Sequence, residues 1–104
     1  MSGNIDLSDD ARADLADIWA KIAKDSPRAA DKLIDRLEAG CARLADHPRS
    51  GVARPEVDDD ARSVTVGNYI LFYRVSPSGV EIVRVLHGAR NLPVAFHERS
   101  SFSR

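Results

Sequence analysis

Residues 69–90 read YILFYRVSPSGVEIVRVLHGAR. Two runs rich in β-branched and aromatic residues flank a Ser-Pro-Ser-Gly turn, the pattern of a β-hairpin. Pairing Ser76 with Gly79 across the turn puts Arg74 opposite Glu81, Tyr73 opposite Ile82 and Phe72 opposite Val83. Arg74–Glu81 is then an opposite-charge cross-strand pair, worth about 0.2–1 kcal/mol. Apolar residues occupy nearly every position of both runs, so both faces of this sheet need cover. Helices upstream supply one cover, and the C-terminal tail or a second protein supplies the other.

Working back from the hairpin, residues 61–66 alternate, and Gly67-Asn68 is a two-residue turn into the first hairpin strand. Three strands are expected, at about 61–66, 69–76 and 79–87. The face of Val64, Val66, Leu71, Tyr73, Val75, Val80 and Ile82 is assigned to the helices, although Arg62 and Arg84 fall on it and leave the reverse open. Ser63, Thr65, Ile70, Phe72, Val83 and Val85 make the other face, which would form a large apolar patch if uncovered.

Upstream, residues 4–7 alternate weakly and read as a short strand. Ser8 is a helix N-cap followed by Asp9 and Asp10, where the helix dipole favours negative charge. Ala11, Leu15, Ile18 and Ile22 then recur at helical spacing, with Trp19 at the edge of their stripe. Arg12, Asp14, Asp17, Lys21 and Lys24 take the opposite face. Ser26-Pro27 caps a second helix whose apolar face is Ala30, Leu33, Ile34, Leu37, Cys41 and Leu44. Gly40 inside it implies a close approach by a neighbour, and His47-Pro48 ends it. Residues 46–60 read as a loop. The layout is β-α-α-β-β-β: an α+β domain in which an antiparallel helix hairpin packs on a small antiparallel sheet. One domain over 1–92 and a tail over 93–104 are expected.

The 104 residues carry a net charge of −1, unevenly distributed. Residues 1–60 hold 9 Lys/Arg against 14 Asp/Glu, and residues 61–104 hold 6 Arg against Glu81 and Glu98. The basic half suits an anionic partner, either an acidic protein surface or nucleic acid. A lone cysteine, Cys41, excludes an internal disulfide and reads as a buried thiol. No apolar run is long enough to span a membrane, so a cytoplasmic location is expected. No phosphate loop, metal-ligand spacing or nucleophile triad is legible, so no cofactor or metal is expected. His87 at the end of the last strand is a candidate base or binding-edge residue. Arg62, Arg74, Arg84 and Arg90 are candidates for clamping phosphates or carboxylates.

Three segments carry a family resemblance: LSDDARADLADIWAKIAKDSPRAADKLIDRL, ADHPRSG, and RSVTVGNYILFYRVSPSGVEIVRVLHGAR. Over residues 5–92 the chain resembles the ParE toxins of bacterial type II toxin–antitoxin systems, in the ParE/RelE superfamily. The resemblance implies the helix hairpin on an antiparallel sheet. It also implies a ParD-like antitoxin that wraps the toxin, and DNA gyrase as the target, inhibited by binding rather than catalysis. Neither a membrane nor sequence-specific nucleic-acid binding is expected. Trp19, Phe72, Arg74 and Arg84 are the candidates for antitoxin contact, and Arg62, His87, Arg90 and Phe96 for target contact or activity. Sister RelE-like toxins cleave ribosome-bound mRNA with sheet arginines and a C-terminal tyrosine or histidine. Here Thr65 or Val66 stands at the position of their strand arginine and Phe96 at that of their tyrosine; Arg90 matches, and His97 follows Phe96. A RelE-like endonuclease and a non-toxic antitoxin-binding module are the alternatives.

Overall fold

The computed structural model describes residues 4–88. Strand β1 (Asn4–Leu7) leads into helix α1 (Asp9–Ala23) and helix α2 (Pro27–Asp46). Strands β2 (Val52–Ala53), β3 (Ala61–Val66), β4 (Tyr69–Ser76) and β5 (Gly79–His87) follow. The helix ends are chemically specified. Ser8 Oγ accepts the Ala11 N–H and Ser26 Oγ accepts the Ala29 N–H, each meeting a donor that the first helical turn leaves orphaned. Asp9 and Asp10 fill the first turn of α1, and Pro27 opens α2.

The sheet has five strands in the order β1-β5-β4-β3-β2. Two features depart from the expected all-antiparallel sheet. β1 lies parallel to β5, pairing Asn4 with Gly79 through to Leu7 with Ile82. The loop also contributes the two-residue strand β2, which pairs Val52 with Ser63 and Ala53 with Arg62; two residues carry no readable period. The β4–β5 register begins as expected, with Ser76↔Gly79, Arg74↔Glu81 and Tyr73↔Ile82. A bulge then intervenes, and Phe72 faces Arg84 instead of Val83. One extra residue in β5 moves everything beyond it by one place. Val85 therefore joins the helix-side core, where strict alternation would put it on the far face.

The helices cover Val66, Leu71, Tyr73, Val80, Ile82 and Val85, packing Ala11, Leu37, Cys41 and Leu44 onto them. This agrees with the face assigned to them, apart from Val85. Gly40 lies against β3, and a Cβ there would stand 2.7 Å from Val66 Cγ2. The opposite face also has a core: Ala61, Phe72, Val83 and Leu86, with Val57 from the loop and Ile70 packed against it. Phe72 is fully buried there, so the chain itself shields this face. Among the described residues the exposed large hydrophobics are Trp19 and Val52. The anticipated open apolar patch is absent from them.

Candidate partner-binding surface

Beyond Leu7, β1 gives way to α1, and the edge of β5 would lose its neighbour. Ser8 and Asp14 take over that role. Ser8 N–H donates to Ile82 O and Ser8 Oγ–H to Val83 O. Asp14 Oδ2 accepts the Val85 N–H at 2.9 Å. The same carboxylate receives Arg84 Nε–H on Oδ2 at 2.7 Å and Arg84 Nη2–H on Oδ1 at 3.0 Å. This is a bidentate pair, with side-chain exposure of 2% for Arg84 and 7% for Asp14. Asp14 is therefore not on the solvated face of α1, and Arg84 offers no surface to a partner. The pair ties the helix hairpin to the bulged strand.

A second construction pins the loop after α2. Tyr73 Oη donates to Pro48 O at 2.7 Å and accepts the Gly51 N–H at 2.9 Å. Its cross-strand neighbour Arg62 donates from Nη1 to Gly51 O at 3.0 Å and to Arg49 O at 3.4 Å. Gly51 admits no side chain, because a Cβ would collide with the Tyr73 hydroxyl and come within 2.8 Å of Ser63 O. The loop thus turns three carbonyls and one N–H inward, while the side chains of His47, Arg49 and Ser50 are exposed. On one side is a groove of about 420 Å³ where Arg49 and Arg62 face Asp59 and Asp60, a charge-balanced setting. On the other, between α2 and β3, a groove of about 250 Å³ is floored by Leu44 and Val64 and rimmed by Arg43, His47 and Ser50.

The remaining candidates are dispersed. Trp19 donates its Nε1–H to Asp31 Oδ1 at 2.8 Å, joining the exposed sides of α1 and α2. Arg74 Nε lies 3.5 Å from Glu81 Oε1. His87 is exposed at the end of β5, its ring edge-on to Tyr69 at 5.2 Å. Burial, with Glu38 adding to it and a backbone hydrogen bond opposing it, pushes the Cys41 thiol up to about 11. It is protonated at neutral pH and a poor nucleophile. No group of three or more His, Cys, Asp or Glu among the described residues could hold a metal ion. No helix among them is long and apolar enough to cross a membrane.

The family model for the ParE toxin of the type II toxin–antitoxin system parDE matches residues 5–92. The chain belongs to the ParE toxin family. Toxin ParE1 of Mycobacterium tuberculosis is 35% identical over 89 residues, covering 84% of this chain and 91% of that toxin. Toxin RelE2 of Caulobacter vibrioides is 36% identical over 80 residues, covering 77% of this chain and 89% of that toxin. The fold recurs in a chain of the chromosomal ParDE system from P. aeruginosa, with a TM-score of 0.71 at 20% identity over 83% of this chain and 96% of that one. It recurs again in the toxin–antitoxin complex RelBE2 from Mycobacterium tuberculosis, with a TM-score of 0.56 at 23% identity over 84% and 99%.

Within this ParE-family chain the candidate residues do not converge on one cleft. Trp19 and Arg74 are accessible on different elements, whereas Phe72 and Arg84 are buried. Arg62 buttresses the loop, and His87 stands at the strand end. Arg90 and Phe96, with His97, lie outside the described residues. The reading from sequence missed the Asp14 lock and the rim of Arg43 and His47. One signal was available: a tyrosine in an otherwise apolar buried strand needs a partner for its hydroxyl, and the polar loop beyond α2 supplies it.

Proposed function

We propose that this chain is the toxin of a ParDE-type pair, neutralised by a ParD-like antitoxin and inhibiting DNA gyrase by binding. The observation that carries the preference for binding over RNA cleavage is the state of the sheet arginines. Arg84 is locked on Asp14, Arg62 is turned to loop carbonyls, and Arg74 sits beside Glu81. Arg84, buried and paired, does not reach a substrate phosphate, and Arg62 is already engaged by the loop. The position before the Gly67-Asn68 turn also holds no cation, since Thr65 is neutral and Val66 is packed beneath Gly40. Exposed Trp19 and half-buried Arg74 are the residues we assign to antitoxin contact, and exposed His87 the one we assign to the target.

A second reading has specific support, because the relatives include toxins named RelE2 and RelE3 in Caulobacter vibrioides. One experiment separates the two. The toxin is expressed without its antitoxin, and DNA cleavage complexes and transcript ends are followed together. Growth arrest with filamentation and gyrase-dependent cleavage complexes is the expected result. Ribosome-dependent transcript cuts with gyrase untouched would replace the proposal with the RelE-like one. Unimpaired growth with tight antitoxin binding would leave a non-toxic binding module.

A further inference from the structure

The outer edge of β3 is satisfied residue by residue until Thr65. In an antiparallel pair, alternate residues direct both backbone groups toward the neighbouring strand and those between direct them outward. In the β3–β4 hairpin the two-residue turn makes Val66 and Tyr69 the first bonded pair, so Ala61, Ser63 and Thr65 face outward. Ala61 N–H donates to Asp58 O at 3.1 Å, and Ala61 O accepts Arg54 N–H at 2.8 Å. Ser63 pairs with Val52 in β2. Continuing that register would set Ser50 opposite Thr65, but the chain has already turned away. Gly51 N–H is held by Tyr73 and Ser50 N–H by His47 O. Among the described residues, no backbone group pairs with the outward N–H and C=O of Thr65, which is exposed.

This open edge borders the groove of about 250 Å³, with Leu44 and Val64 below and Arg43 and His47 at the rim. We infer that the edge at Thr65 and this groove together receive an extended segment of the antitoxin, which adds a short strand beside β3. Its backbone bonds Thr65, one aliphatic side chain drops onto Leu44 and Val64, and flanking carboxylates meet Arg43 and His47. The inference rests on the toxin–antitoxin reading above. Charge complementarity selects the occupant. A second copy docked edge to edge would set Arg43 against its symmetry mate, placing like charges across a two-fold. A nucleic acid would gain nothing from an aliphatic floor.

The test uses the full chain and a ParD-like antitoxin. Thr65→Pro deletes the outward N–H at an edge position where no described residue accepts it, a place where a strand tolerates proline; Thr65→Ser keeps the N–H. Thr65→Pro is expected to weaken antitoxin binding by about tenfold or more and Thr65→Ser to leave it unchanged. The charge reversal Arg43→Glu is expected to weaken binding as well. Hydrogen exchange on the wild-type complex gives an answer even if the proline variant fails to fold, because the Thr65 amide should exchange more slowly in the complex than in the free toxin. Unchanged Thr65 exchange on binding, or a folded Thr65→Pro with wild-type affinity, overturns the inference while the toxin–antitoxin reading stands. A wild-type dimer of this chain that Thr65→Pro dissolves overturns it in favour of the second copy. A wild-type chain that binds no antitoxin removes both readings.

Discussion

The buried Asp14–Arg84 pair gives the sharpest stability prediction. Replacing Asp14 by Ala removes the carboxylate from a guanidinium that is almost wholly enclosed and leaves the Val85 N–H without that acceptor. Removing one member of a buried ion pair costs about 3–5 kcal/mol, and an orphaned buried N–H about 1–3 kcal/mol. The two losses share one carboxylate and do not simply add, so we expect about 4 kcal/mol in total. That is a large part of the roughly 5–15 kcal/mol available to a domain of this size. The double variant Asp14→Leu/Arg84→Met removes both charges and should recover most of the loss, except for the part due to Val85. A double-mutant cycle by urea denaturation measures the coupling. Arg74→Ala is the control: its pair with Glu81 is one-third exposed and worth at most about 1 kcal/mol. Added salt should weaken that surface pair and leave the buried one unchanged. A cost below about 1 kcal/mol for Asp14→Ala would refute the reasoning.

Two further perturbations follow from the same geometry. Tyr73→Phe removes the hydroxyl that holds Pro48 O and Gly51 N–H; it should cost about 1–3 kcal/mol and speed amide exchange at Gly51, as read by denaturation and hydrogen exchange. The raised pKa of Cys41 favours the protonated thiol in the folded state, so its contribution is complete below pH 9.0, the ordinary value, and is lost as pH climbs to about 11. Cys41→Ala should flatten that alkaline decline in a urea-midpoint series from pH 8 upward, and an unchanged slope would contradict the assignment.

Local chemistry made most of the fold legible. Ser8 and Ser26 with Pro27 announced both helix starts, the apolar spacing named the inner faces, and the turn at 77–78 set the hairpin register as far as Tyr73 and Ile82. What escaped was non-local. Nothing near residue 83 signals a bulge, because Val83 is an ordinary strand residue, and one inserted place sends Val85 to the helix side. Asp14 sits among charged neighbours on α1, and only the approach of β5, 70 residues later in the chain, draws it inside. For the candidate surface, residue type alone could not separate an arginine used for structure, such as Arg84, from one left accessible, such as Arg74. Phe72 reads equally well as core or contact until the far face of the sheet is seen to be filled.

The placement of β1 beside β5 also bears on when the protein can fold. Among the described residues the first strand pairs with the last, and the Asp14 lock closes across the same span. A chain emerging from the ribosome therefore lacks both until β5 (Gly79–His87) has been synthesised, since domains fold as units and distant pairings form late. A nascent chain that stops short of Val85 should therefore leave β1 and α1 without their anchor on the sheet and behave as an unfolded polypeptide.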